Sequence, residues 1–227
     1  MVRQTFDQEL QRLEHEVLGL GSMVEEALVR SVETLKRKDF DGSRQLISAD
    51  RLINNKRYAV ESEVLALIAT QQPIAGDMRL LAAILEIASE LERIGDYAKG
   101  IARINLMIGE EPLIKPLIDL PAMAARARDM LHQALQAFVL RDVDLARAIP
   151  KGDNEVDALY NQVYRELITY ILERPGVTEQ ANHLMRAAHN LERAADRVTN
   201  LCERVVYLVT GEMVELNADD TEIEGMS

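Results

Sequence analysis

Two pairs of carboxylates, each set four residues apart, carry the chemistry this chain advertises. Leu91-Glu92-Arg93-Ile94-Gly95-Asp96 returns 100 residues later as Leu191-Glu192-Arg193-Ala194-Ala195-Asp196. Four residues is close to one helical turn, so Glu92 and Asp96 leave the same side of a helix, as do Glu192 and Asp196. Unassisted, like charges at that spacing cost roughly 0.2–0.5 kcal/mol. A cation offsets the cost, and oxygen donors suit hard or borderline ions such as iron, manganese, magnesium or zinc. The alternative is ordinary surface pairing with Arg93 and Arg193.

The elements around the motif repeat with it. Leu10, Leu13, Val17, Leu20, Val24, Ala27, Ser31 and Leu35 step by threes and fours, the seam of a bundle helix. A turn follows near 38–42, and a second helix runs from about Ser43 to Thr70. Pro73 and Gly76 break it, with Asp77 as a candidate N-cap for a third helix that ends near Gly109. Residues 111–121 hold three prolines and form a joint. The pattern then restarts: Lys38-Asp39-Phe40-Asp41 matches Arg141-Asp142-Val143-Asp144, and Asp50 and Asn54 match Asp153 and Asp157. A break at Glu173-Arg174-Pro175-Gly176 precedes a last helix from Thr178 to Thr210. The predicted fold is all-α, a tandem repeat of two antiparallel three-helix bundles with six long helices. The expected units are 1–110, the joint 111–121, 122–211 and an acidic, disordered tail 212–227. Helices near 30 residues are about 45 Å long, so an elongated molecule is expected.

Hairpin geometry brings further acids to the motif. A turn centred near Ile74 sets residue 54 beside 94 and residue 50 beside 98. Asp50 and Asn54 therefore face Glu92 and Asp96. A turn near Gly176 brings Asp153 and Asp157 to Glu192 and Asp196 in the same way. Glu92 and Asp96 each stand one residue past a seam position, so they flank the core at a bundle edge. His189 lies on the same stripe as Glu192 and Asp196, either as a nitrogen ligand or as a polar flank. Pro150 and Gly152 start or kink the helix before Asp153.

Composition narrows the class. Of the 227 residues 4% are aromatic, none is Trp, and the net charge is −12. Ala- and Leu-rich apolar positions favour helical packing. An acidic chain makes a poor nucleic-acid binder, because phosphate contacts need Lys and Arg. No segment approaches the ~20 apolar residues of a membrane span, so no membrane insertion is expected. The first ten residues lack a signal-peptide core. Cys202 is the one cysteine; it excludes an internal disulfide and suits a cytoplasmic protein and a buried helical position.

The two acidic motifs, the stretch from Gln71-Gln72-Pro73 to Asp77-Met78-Arg79, and the ending Tyr207-Leu208-Val209-Thr210-Gly211 together resemble the PhoU family, from Phe6 to about Gly211. The resemblance implies tandem three-helix bundles, dimerisation, and multinuclear iron or zinc clusters at the acidic motifs. Carried over, the metal positions are Asp50, Asn54, Glu92 and Asp96, and Asp153, Asp157, Glu192 and Asp196. It also implies a negative regulator of phosphate-starvation signalling. The implied partners are the ATPase subunit of a phosphate ABC transporter and a sensor histidine kinase. The chain departs from the family pattern at Ala194-Ala195 and at Arg197, which adds positive charge beside the second motif.

Two other readings compete. One is a carboxylate-bridged dimetal oxidase or phosphohydrolase, which ordinarily uses Glu-x-x-His on inward faces. No Glu precedes His15, His132, His183 or His189 by three residues, so no enzyme is expected. The other is a metal-free helical scaffold. Between the two acidic groups the second, with four carboxylates against three, is expected to hold a cation more tightly.

Overall fold

A computed structural model describes residues 2–216, with side chains from Phe6 onward. The helices are α1 (Val2–Arg37), α2 (Phe40–Gln71), α3 (Ala75–Ile108), α4 (Asp119–Leu140), α5 (Val143–Ala148), α6 (Asp153–Glu173) and α7 (Thr178–Thr210). Among the described residues there is no strand. A 3-10 turn, Ile149–Gly152, joins α5 to α6. That broken helix is the second-half counterpart of α2, which leaves six long helical segments in two sets of three. Pro150 explains the break: it has no N–H to donate, and its ring clashes with the preceding turn.

The seam of α1 is buried at Leu10, Leu13, Val17, Leu20, Val24, Ser31 and Leu35; Ala27 is only partly buried, and Leu28 and Val32 join the buried face beside it. One turn design serves both halves. Lys38 and Arg141 take the left-handed conformation, with φ of 55° and 57°. The next residue then caps the following helix: Asp39 accepts from Gly42 N at 2.8 Å and Asp142 from Leu145 N at 2.9 Å. Gly109 and Gly211 close α3 and α7 with φ of 65° and 79°, which glycine adopts without strain. Asp77 is not the cap expected for α3: the helix begins at Ala75 behind Ile74, and Asp77 sits in the first turn.

The halves lie side by side. α3 and α7 run antiparallel along each other, and α1 also reaches α4. Arg204 Nη1 lies 3.0 Å from Glu86 Oε2, and the Arg193 guanidinium stands 5.3 Å over the Tyr97 ring. Asn200 donates to Glu90 at 3.4 Å, and their repeat-mates meet in turn: Asn190 seats against Gly100, where a Cβ would meet Nδ2 at 2.7 Å. These exchanged positions define a pseudo-two-fold axis at the level of Gly95 and Ala195. A single apolar core runs through both halves. The elongated shape expected from helix length is therefore countered by lateral packing.

The joint is tied down. Gln180 accepts from Ile114 N at 2.6 Å and donates to Pro112 O at 3.1 Å. The Lys115 ammonium is buried between Asp119, at 3.4 Å, and Glu166. α4 starts at Asp119, so Pro121 occupies its first turn, where a missing N–H costs little. The tail expected to be free begins by folding back: Leu216 N donates to Glu203 Oε1 at 3.0 Å, and Val214 and Leu216 pack on the core. The rest of the acidic tail, 217–227, lies outside the described residues.

Candidate metal centre

α2 and α3 position the first acidic group in the register the hairpin predicts. Asp50 and Asp96 meet, but through an ammonium. Lys99 Nζ donates to Asp50 Oδ2 at 2.7 Å and to Asp96 Oδ1 at 2.9 Å. Asn54 Nδ2 donates to the same Asp50 Oδ2 at 3.0 Å. Asp50 is buried, and its Oδ1 has no hydrogen-bond partner in the protein. Glu92 is half-buried. Burial, then the neighbouring Asp96, raises its carboxyl above the ordinary range, and Arg57 opposes the rise.

Asp153, the first residue of α6, joins Asp157, Glu192 and Asp196 in the second group, so the Pro150 break does not aim it away. Burial, followed by the negative charges of Asp157, Asp196 and Glu192, pushes Asp153 up from 3.8 to about 7, and a hydrogen bond with Asp196 acts in the same direction. Burial and Asp196 raise Glu192, against His189. His189 Nδ1 stands 3.1 Å from Glu192 Oε2, at ion-pairing distance when protonated. Its side chain is half exposed, a polar flank that touches the acids.

The arginines expected beside the motifs turn elsewhere. Arg93 lies 3.5 Å from Glu90, Arg193 stacks on Tyr97, and Arg197 reaches across to Glu90 at 3.5 Å and hydrogen-bonds Tyr97. Arg197 thus spends its charge on α3 and not on Asp196. Cys202 is fully buried, and burial pushes its thiol up to about 12, which makes it inert.

Among the described residues no three His, Cys, Asp or Glu side chains are gathered tightly enough to hold a metal ion as they stand. The donor chemistry nonetheless differs between the groups. The second fits a cation: all four of its positions are carboxylates, and Asp153 Oδ1 is buried without a partner, as Asp50 Oδ1 is in the first. The first already has one, the Lys99 ammonium. The spacing of the acidic motif does not by itself point to Lys99 or Arg57, but the hairpin register that sets residue 50 beside 98, with Lys99 three residues past Asp96, carries the signal for Lys99.

The fold and these groups define an all-α tandem-repeat protein with paired acidic edges about a pseudo-two-fold. The PhoU domain family matches residues 17–104 and 120–205. A phosphate-specific transport system accessory protein PhoU homolog of Clostridium acetobutylicum is 34% identical over 221 residues, 96% of this chain and 100% of that one. The crystal structure of the phosphate transport system regulatory protein PhoU from Streptococcus pneumoniae superposes with a TM-score of 0.84 at 33% identity, covering 92% of this chain and 99% of that one. That of PhoU from Pseudomonas aeruginosa gives 0.86 at 31%, covering 91% and 100%. The chain belongs to the PhoU family.

Proposed function

We propose that this protein is a metal-binding accessory regulator of phosphate uptake. It would restrain phosphate-starvation signalling by contacting the ATPase subunit of a phosphate ABC transporter and a sensor histidine kinase, as a cytoplasmic homodimer. The observation that carries the accessory role is the end-to-end likeness to phosphate-specific transport system accessory proteins, with both repeats retained. No described helix is long and apolar enough to cross a membrane, which accords with a protein that docks on membrane partners. Affinity purification from phosphate-replete cells tests the reading: transporter ATPase and kinase should both be recovered. Loss of the gene should switch on the starvation response at high phosphate. Light scattering should give twice the chain mass; a monomer at micromolar concentration would remove the dimer.

Asp153, Asp157, Glu192 and Asp196 would hold the metal, which when bound supplies positive charge to an edge that otherwise repels itself. Iron or zinc is the expected ion. The chain's own residues prepare the place: Asp153 opens α6 just past the Pro150 break, and His189 stands against Glu192. The relatives are named as transport accessory proteins, which supports a non-enzymatic role. Assays of the purified protein on phosphoesters should show no turnover with or without metal.

Phosphate itself should not bind the acidic groups in metal-free protein, because carboxylates repel an anion and only a bound polyvalent cation reverses the local sign. Calorimetry with inorganic phosphate on chelator-treated protein checks this. Tight binding there would contradict it.

A further inference from the structure

Given the reading of the acidic groups as cation sites, on which this step rests, we infer that Lys99 is the permanent cation of the first group, so that the chain takes metal in its second half alone. Lys99 Nζ stands between Asp50 Oδ2 and Asp96 Oδ1 at 2.7 and 2.9 Å. These carboxylates come from different helices, and a bridging ion would have to use them. An ion seated between the same oxygens meets the ammonium at contact distance, and the two charges repel. The Lys99 side chain is 19% exposed and that of Asp50 7%, so water does little to screen the pair. Expelling the ammonium would also leave its own charge without a partner in a partly dry place. Arg57, beside Glu92, adds a second positive charge on the same edge.

The repeat supplies an internal control. The position matching Lys99 is Thr199, and that matching Arg57 is Tyr160. Thr199 is 1% exposed and its Oγ1 has no hydrogen-bond partner. The second half therefore offers a buried neutral hydroxyl where the first has an ammonium. It also carries one more carboxylate, Asp157 in place of Asn54. The halves thus differ at the site in the built-in cation and in one carboxylate, Asp157 for Asn54, and both differences favour metal in the second.

Equilibrium dialysis of the full chain against Zn²⁺, and separately Mn²⁺, with metal counted by emission spectrometry, tests the assignment. Lys99→Met keeps the aliphatic stem and removes the charge, and it should raise bound metal per chain roughly twofold as two oxygen sites become open. In chelator its melting temperature should drop below that of the parent, and metal should recover more of the loss than the parent gains. Glu192→Ala with Asp196→Ala leaves Lys99 in place and should retain no metal. A retained ion in that variant overturns the inference even if Lys99→Met fails to fold. A folded Lys99→Met that binds no more than the parent overturns it too. If the parent and Lys99→Met both bind nothing, the cation-site reading falls with it. If Lys99→Met binds and the parent does not, Lys99 keeps its role and the second-half site is the part that fails.

Discussion

Replacing Asn105 by Ala should cost the fold about 3 kcal/mol, from buried polar groups left unpaired and the cavity that remains. Asn105 is fully buried near the end of α3. Its Nδ2 reaches Thr34 O and Asp39 O at 3.1 Å each and Ser43 Oγ at 2.9 Å. One amide thus holds the last turn of α1, the left-handed corner and the first turn of α2. That corner sets the angle at which α2 delivers Asp50 to α3. Thermal melting should fall by roughly 6–12 °C for a chain of this size. Asn105→Val imports the residue found at the matching position, Val205, and should not rescue the loss, because the acceptors at the first corner remain. The second corner is held by Asp142 and by the backbone bond from Asp142 N to Ala137 O. Melting within a degree of the parent for both variants would remove Asn105 from this role.

The metal-free protein should be more stable at pH 5 than at pH 7.5. Asp153 has an ordinary value of 3.8 and a folded value of about 7. Between those values the unfolded chain has released the proton and the folded chain still holds it, so stability falls as pH rises and levels off above about 7. Discounted for solvent screening of a half-buried carboxyl, the loss is about 2 kcal/mol. Glu92 and Glu192 are raised as well and act with the same sign. Lys99 is raised above 10.5 by its bonds to Asp50 and Asp96, against burial, so its contribution persists across this window. Urea unfolding in chelator at the two pH values measures the difference. Asp153→Asn should flatten it, and a divalent ion added at pH 7.5 should restore what was lost. Equal stability of the parent at both pH values would sink the argument.

Much of this molecule was determined by sequence pattern. Three-and-four spacing fixed which face of α1 is buried, because side chains 3.6 to a turn leave only one face for the core. The Lys38-Asp39 and Arg141-Asp142 corners were legible as a repeat because a left-handed residue followed by a capping Asp is a local device. Hairpin register, which follows from turn position alone, brought Asp50 to Asp96 and Asp153 to Asp196. What needed the tertiary structure is where the long cationic side chains go. Arg93 takes Glu90 on its own helix, but Arg193 and Arg197 have several acids within reach in sequence, and their choice is settled by α7 lying antiparallel on α3, which presents Tyr97 and Glu90 to them. The same packing set the halves side by side and folded residues 212–216 back onto Glu203. Short-range periodicity carries no information about which of two amphipathic bundles will turn its remaining apolar edge to the other; only burial summed over both halves decides that.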